Sequence, residues 1–562
     1  MTQALEKLIS GNELKPALID AGIELIPREF LKDAKGCKSV NRAGLSKLDP
    51  EKDILLTPAG KRMIRHKNRA FNGVKEYVSN NFEGKLYEEL MNMAINRSFM
   101  YPRSFYCIDD EKVKVPWLEK PVEVRGVLSH VLSYCKTPIQ NKGNLWALLL
   151  EKIDVVVSRF PQPLSFSESA NSDDWMYKIR TKTNSGAPSW VQTTVKLREK
   201  MFKKYKEYVL EIKIEGEIVF TLFYRTQPGK SRAVCGGSEL LKVVGAFLTH
   251  YLVSLLGPSE GLAWGDVEEV FTPIWNAFKL ASSVISLDFK GLDQTISFEL
   301  HKAALSAVGR QWGMKDTDWN TFMEAYATMV TDNAYLYVVP GNMVKVKNGL
   351  LSGEPLTQFT DSIITMAVVE LLVDRMEADL RYVQTLGDDV IALLNDEWTS
   401  KIIKKFEDFA KDLEKEVGLV INTVKSKAMD LSEKGAFGEF LAHFITEDGW
   451  YGNPLRRYHS LFMLERNSAQ IKGLSFGATV NDVGYSSAIL LRSVQIIGTL
   501  TENLPGAEEF IHLASFFEKD LKKVALVRKL VNYWDKMNKE MSGERAMPMQ
   551  SPHWVVPLLT KL

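Results

Sequence analysis

Two short β-type runs, Tyr382–Leu386 and Val390–Leu394, are separated only by Gly387-Asp388-Asp389. So short a connection allows only a tight antiparallel hairpin, and Gly-Asp is turn chemistry. The hairpin tip therefore carries two carboxylates side by side. A third β-rich run, Val284–Leu287, ends on Asp288, one hundred residues before Asp388, with Asp293 five positions further on. Brought together, these strand ends form an all-carboxylate set suited to two divalent cations, the arrangement for in-line phosphoryl transfer. A Gly-Asp-Asp tripeptide alone is weak support. Ordinary solvated turns favour the same residues, and average usage yields one by chance in roughly one chain in ten at this length.

Neighbouring segments add to it. Leu351-Ser352-Gly353-Glu354-Pro355-Leu356-Thr357 leads into a long helical pattern from Thr357 to about Arg381. Such a loop offers backbone amides, a hydroxyl and a helix N-terminus to a nucleotide or a nucleic-acid backbone; plain capping by Ser352 is the competing reading. Arg225, Lys230 and Arg232, within Arg225-Thr226-Gln227-Pro228-Gly229-Lys230-Ser231-Arg232, suit a triphosphate or a solvated basic loop. An amphipathic helix is expected over Ile402–Val417, ended by Gly418. Hairpin strands are expected at Tyr335–Val339 with Met343–Val346, and at Tyr208–Ile214 with Ile218–Phe223.

Composition bounds the class. The 562 residues suggest two to four domains or lobes, and 45% hydrophobic with 25% charged residues excludes a mainly disordered chain. Lys and Arg number 71 against 70 Asp and Glu, a net charge of +1, so a polycation coating nucleic acid over its whole surface is excluded. A basic channel balanced by acidic surface is not, and residues 61–69 and 196–206 are strongly basic. Cys37, Cys107, Cys135 and Cys235 lie far apart, which suggests neither a disulfide framework nor a zinc site and fits a reducing compartment. The stretch Val243–Gly257 is too short to span a bilayer and reads as a buried helix. Glu6-Lys7 interrupts the start before any apolar run, so no secretory signal is expected there. The expected class is α+β, with a β-containing centre and helix-rich flanks.

Taken in order, these segments resemble a viral RNA-dependent RNA polymerase from about residue 180 to about 450. Asp288-Phe289-Lys290-Gly291-Leu292-Asp293 is similar to motif A, Ser352-Gly353 with Thr357 to motif B, and Gly387-Asp388-Asp389 to motif C. Lys425-Ser426 resembles motif D, Arg225 with Gly229–Val234 motif F, and Ser185-Gly186-Ala187-Pro188 motif G. Asp361, where many positive-strand virus polymerases have Asn, and Asp293-Gln294-Thr295 narrow the likeness to small bisegmented double-stranded RNA viruses of the picobirnavirus and partitivirus kind.

The resemblance implies a closed right hand. Residues 1–70 would bridge fingers and thumb, 71–280 and 301–345 form fingers, 233–300 and 346–450 palm, and 451–562 thumb and tail. It implies that Asp288 and Asp388 hold two Mg²⁺ ions (Mn²⁺ as a substitute) with Asp389 in support. Asp293, Ser352 and Asp361 would sense the ribose 2′-hydroxyl, with Gly353 and Thr357 shaping the loop. Because an ionised carboxylate only accepts, Asp361 either bonds differently from an amide or one of Asp293 and Asp361 is protonated. Arg225, Lys230 and Arg232 would bind the triphosphate, Ser185, Gly186 and Pro188 line the template path, and Lys425 act as general acid with Lys427 its rival. The implied partners are RNA, NTPs and a capsid protein, without DNA or membrane, in host cytoplasm and virion interior.

Three other readings compete. A reverse transcriptase would show an aromatic-x-Asp-Asp turn and a bulky residue against the 2′-hydroxyl, where this chain has Leu386 before the glycine and Asp293. A non-catalytic RNA-binding or shell protein leaves the ordered set unexplained. A metal-dependent nuclease accounts for the carboxylates but not for the basic segment at 225–232.

Overall fold

The computed structural model describes residues 14–27, 124–135, 142–172, Trp175 and, with short gaps, 206–452, together with four two-residue strands before residue 114. The readings made for residues 61–69, 184–188 and 196–205, and for everything beyond 452, lie outside the described residues. The principal elements begin with β1 (Leu25–Pro27), α1 (Val124–Cys135), α2 (Asn144–Ser158), β2 (Ile218–Gln227), β3 (Lys230–Gly236), α3 (Glu239–Leu255) and α4 (Val267–Phe278). Next come β4 (Ser283–Leu287), α5 (Phe298–Gly313), α6 (Thr317–Val330), β5 (Ala334–Val339), β6 (Asn342–Lys345) and α7 (Thr357–Met376). The last are β7 (Leu380–Leu386), β8 (Asp389–Leu394), α8 (Ser400–Glu416), β9 (Lys427–Asp430), β10 (Gly438–Phe440), β11 (His443–Thr446) and β12 (Gly449–Gly452).

The acidic strands share one antiparallel sheet, ordered β7-β8-β4-β9. Val390 pairs with Leu287 and Leu394 with Ser283 across β8 and β4, while β9 pairs Lys427 with Ser286 on the other side. Every residue of β4 is buried, because both faces of the sheet are covered. Ile285, Leu287, Val390, Ala392 and Leu394 join the large core that includes the apolar residues of α7 and, from α8, Phe409 and Leu413. Val284, Ile391 and Leu393 meet Phe271, Ile274 and Phe278 of α4, with Phe440 and Trp450 from the three-stranded sheet β10-β11-β12. Two-sided burial is why Val390–Leu394 of β8 reads as an unbroken apolar run and not as an alternating one.

Helix α7 has no wet face: sixteen of its twenty residues are buried. Its buried Glu370 takes both arms of the Arg159 guanidinium at 2.5 and 2.8 Å, which ties the end of α2 to the middle of α7. The helix stops at Met376, short of the expected end near Arg381. Glu377 turns left-handed (φ 57°), and β7 begins at Leu380.

A second sheet, ordered β1-β6-β5-β2-β3, combines antiparallel pairs with one parallel pair, β2 beside β5. Here the strand expected over Tyr208–Ile214 is corrected. Val209 and Leu210 are helical, and the chain reverses at Ile212 with φ 50°. Val209 and Ile214 are both buried, and so short an apolar run fits either periodicity. The partner of β2 is β3, with Arg225 opposite Arg232 and Gln227 opposite Lys230, so the basic segment is a hairpin and not a loop. The Val243–Gly257 stretch is helical as expected up to Leu255, where α3 ends, but Val253 and Ser254 are exposed and not buried; among the described residues no helix is long and apolar enough to cross a membrane.

Candidate active site

Asp288 follows β4 directly, and extending the Val390–Leu287 register by one position sets it opposite Asp389. Leu386 pairs with Asp389, so Gly387 and Asp388 make a two-residue turn, and Gly387 supplies its positive φ of 66°. The turn is fastened to helix α7. The Gly387 N–H donates to Ser362 Oγ at 2.8 Å, and Thr365 Oγ1 donates to the Gly387 carbonyl at 3.0 Å. Ser362 and Thr365 sit three apart on one helix face, the spacing that lets two hydroxyls reach the same turn. Both polar backbone groups of the glycine are thus satisfied by side chains.

Asp288 is held from the other side. Asn422 Nδ2 donates to Asp288 Oδ2 at 2.8 Å, the Asn422 N–H donates to the Asp288 carbonyl at 2.8 Å, and the Asp288 N–H donates to Ser426 Oγ at 3.1 Å. Sequence reasoning gave Asn422 no role; nothing in its local pattern marks it. Lys425 lies outside the described residues. Its rival Lys427 is engaged on β9 by Glu439, with its ammonium 5.2 Å from the Phe437 ring centroid.

Among the described residues no three His, Cys, Asp or Glu side chains converge closely enough to hold a metal ion. Register nevertheless sets Asp288, Asp388 and Asp389 at neighbouring strand ends. The donor set is oxygen alone, which fits Mg²⁺ or Mn²⁺ and not a zinc site.

Asp293 stands on the short helical turn Leu292–Thr295, and its carbonyl accepts the Leu350 N–H at 2.6 Å. Ser352 does not cap α7. Its exposed side chain accepts the Cys235 N–H at 3.0 Å, joining the loop to β3. Thr357 closes the loop by donating to the carbonyls of Leu351 (2.9 Å) and Glu354 (3.0 Å). Gly353 lies so close to β3 that a Cβ there would fall 1.5 Å from the Cys235 carbonyl oxygen. Behind the loop, buried Glu354 accepts the Tyr326 hydroxyl at 3.2 Å, and His301 Nε2 lies 3.2 Å from the same oxygen, off the hydrogen-bond axis.

Asp361, on α7, is buried within range of the charges of both Asp293 and Asp388. Burial, then the charges of Asp293, Asp388 and Glu354, push its carboxyl well above the usual range, and its Oδ1 is buried without a hydrogen-bond partner. Of the two options that the sequence leaves open, burial favours a protonated Asp361. The folded protein then keeps a proton that the unfolded chain releases. Stability from this group is full below the unfolded carboxyl pKa of about 3.9 and is lost as pH rises through the folded value, at up to about 1.4 kcal/mol per unit. Asp361→Asn is therefore expected to gain on wild type as pH rises from about 4 to about 8. Denaturation midpoints without divalent cation check this; an equal offset at both ends would rule it out.

Arg225, Lys230 and Arg232 all stand on the β2–β3 hairpin, with Arg225 and Arg232 direct cross-strand partners. Ser185, Gly186 and Pro188 lie outside the described residues.

Residues 266–526 match the family model described as viral RNA-dependent RNA polymerase. No curated protein matches the chain. Among solved structures, the fold is similar to the RNA-dependent RNA polymerase of a human picobirnavirus, with a TM-score of 0.54 and 12% identity over 83% of this chain and 92% of that one. An insertion-loop deletion mutant of a human picobirnavirus polymerase gives 0.50 and 12% over 83% and 91%.

Proposed function

We infer that this chain is a viral RNA-dependent RNA polymerase resembling those of picobirnaviruses, and from that premise how its residues divide the work of copying RNA. It synthesises RNA on an RNA template, binds RNA and NTPs, and belongs to enzymes that generally use divalent metal ions. The observation that carries the assignment of roles is the sheet register, which sets Asp288 beside the Gly387-Asp388-Asp389 turn.

Asp288 and Asp388 are the residues to hold two divalent cations, Mg²⁺ or Mn²⁺, with Asp389 in support. When bound, the cations stabilise charge on the attacking 3′-oxygen, the α-phosphate and the leaving pyrophosphate. Asn422 and Ser426 fix Asp288; Ser362 and Thr365 fix the turn. Arg225, Lys230 and Arg232 take the triphosphate, and Lys425 protonates the pyrophosphate. Asp293, Ser352 and Asp361 read the ribose 2′-hydroxyl, which both donates and accepts, and Gly353 and Thr357 shape the loop that presents Ser352. Ser185, Gly186 and Pro188 line the template path.

The right-hand fold of such polymerases is divided here as fingers at 71–280 and 301–345, palm at 233–300 and 346–450, and thumb with tail at 451–562. Residues 1–70 close the hand. The enzyme works in host cytoplasm and virion interior beside a capsid protein, and uses no DNA. Asp293→Ala is expected to lower the preference for ribo- over deoxynucleotides by about tenfold or more. The test is the ratio of kcat/KM for UTP and dUTP on a single-stranded RNA template; an unchanged ratio removes Asp293 from sugar reading.

A further inference from the structure

Helix α1 reaches the sugar-reading group from a part of the chain with no polymerase motif. Tyr134, its penultimate residue, is fully buried. Its carbonyl accepts the N–H groups of Lys347 at 2.8 Å and Asn348 at 3.2 Å. Its ring lies so close to Gly349 that a Cβ there would sit 2.7 Å from Cδ1. The same Cβ would be 2.9 Å from the Asp293 carbonyl oxygen, so Tyr134 and Asp293 flank one glycine.

A second grip lies one turn earlier. His130 packs edge-on against Tyr134 with ring centroids 5.3 Å apart, and its Nδ1 is 3.2 Å from Gln294 Nε2. Helix α1 thus meets the 292–295 turn at residue 294 through His130 and at residue 293 through Tyr134. The phenol is buried at this junction, and burial, then the charge of Asp293, raise its pKa well above the usual value, with Cys235 and Asp361 adding to it. The phenol oxygen itself is buried without a hydrogen-bond partner among the described residues. Active-site bonds are often long without substrate and tighten when it seats. A buried hydroxyl that bonded nothing would only cost stability, and phenylalanine would fill the same space without that cost.

We propose that Tyr134 is a positioning residue for sugar selection, whose phenol donates to Asp293 and orients the carboxylate toward the 2′-hydroxyl of the incoming nucleotide. This rests on Asp293 being a ribose-reading residue. It brings the segment before residue 140 into substrate choice.

The test uses the full chain as wild type, Tyr134→Phe, Asp293→Ala and the double variant. Single-nucleotide incorporation of UTP and dUTP is measured on a single-stranded RNA template, with a melting temperature for each protein. Tyr134→Phe is expected to lower the UTP to dUTP ratio of kcat/KM by about tenfold, the loss falling on UTP alone. Its melting temperature should be equal to wild type or higher, and the double variant should match Asp293→Ala. If Asp293→Ala collapses the ratio while Tyr134→Phe leaves it unchanged, or lowers both substrates equally, Tyr134 only packs and the proposal is overturned. Additive effects in the double variant overturn it too, because Tyr134 would then act by another route. If Asp293→Ala leaves the ratio untouched, the ribose-reading role of Asp293 fails and the proposal falls with it.

Discussion

Asp388→Ala is expected to lower kcat for template-directed RNA synthesis by about 10³–10⁴-fold while the protein stays folded. A cation held at a reacting phosphate contributes several kcal/mol of charge stabilisation, and each 1.4 kcal/mol is about tenfold in rate. The residue sits in an exposed turn, so truncating it removes little packing. The attachment of the turn to α7 runs through the Gly387 backbone and the hydroxyls of Ser362 and Thr365, none of which the substitution touches. Nucleotide incorporation with Mg²⁺ or Mn²⁺, alongside a denaturation midpoint, separates the two effects. Activity that survives in a folded variant would show that the cations are held elsewhere.

Gly353→Ala should be the most damaging single methyl group near the site. The added Cβ would meet the Cys235 carbonyl oxygen at 1.5 Å, its carbon at 2.6 Å and the Gly237 nitrogen at 3.0 Å, all backbone atoms that no rotamer change can move. Either the loop or the end of β3 must shift, breaking the Ser352–Cys235 hydrogen bond. We expect a loss of about 3 kcal/mol or more, at the upper end of overpacking effects, and RNA synthesis impaired even at temperatures where the variant stays folded. Gly387→Ala is the instructive contrast. The nearest atom to its Cβ is Gln358 Cγ at 3.9 Å, so only the positive φ is penalised, at about 1–2 kcal/mol. Urea midpoints for the two variants in parallel check the ordering; equal losses would mean that the loop accommodates the methyl group.

That Asp288 and the Gly387-Asp388-Asp389 turn end neighbouring strands was legible in the sequence because the signal is local. A strand that ends in aspartate and a three-residue acidic turn each declare themselves within a few positions, and the register then sets Asp288 beside Asp389. Helix α8 was legible for the same reason, down to Gly418 at its end with φ 86°. What stayed hidden acts across the chain. Asn422 reaches Asp288 over 134 positions, and Tyr134 packs on Gly349 beside the Asp293 carbonyl, each with a residue type common anywhere. The run at 208–214 misled because burial alone does not choose between helix and strand over so few residues. Ser362, next to Asp361, carries no signal of its own. Its hydroxyl partner Thr365 at three-residue spacing was the available clue, and it gains meaning only once the turn is known to lie beside that helix.

The nearly complete burial of helix α7 has a kinetic corollary. A helix with no solvent-facing side opens only when its surroundings do, so its amide protons belong to the class that exchanges through global unfolding. The turn bearing Asp388 is bolted to that helix through Ser362 and Thr365, and so is expected to loosen late among the described residues. Under the proposed function, motions that admit a nucleotide or advance the template are then expected in the elements around α7 and not in the Gly387-Asp388-Asp389 turn.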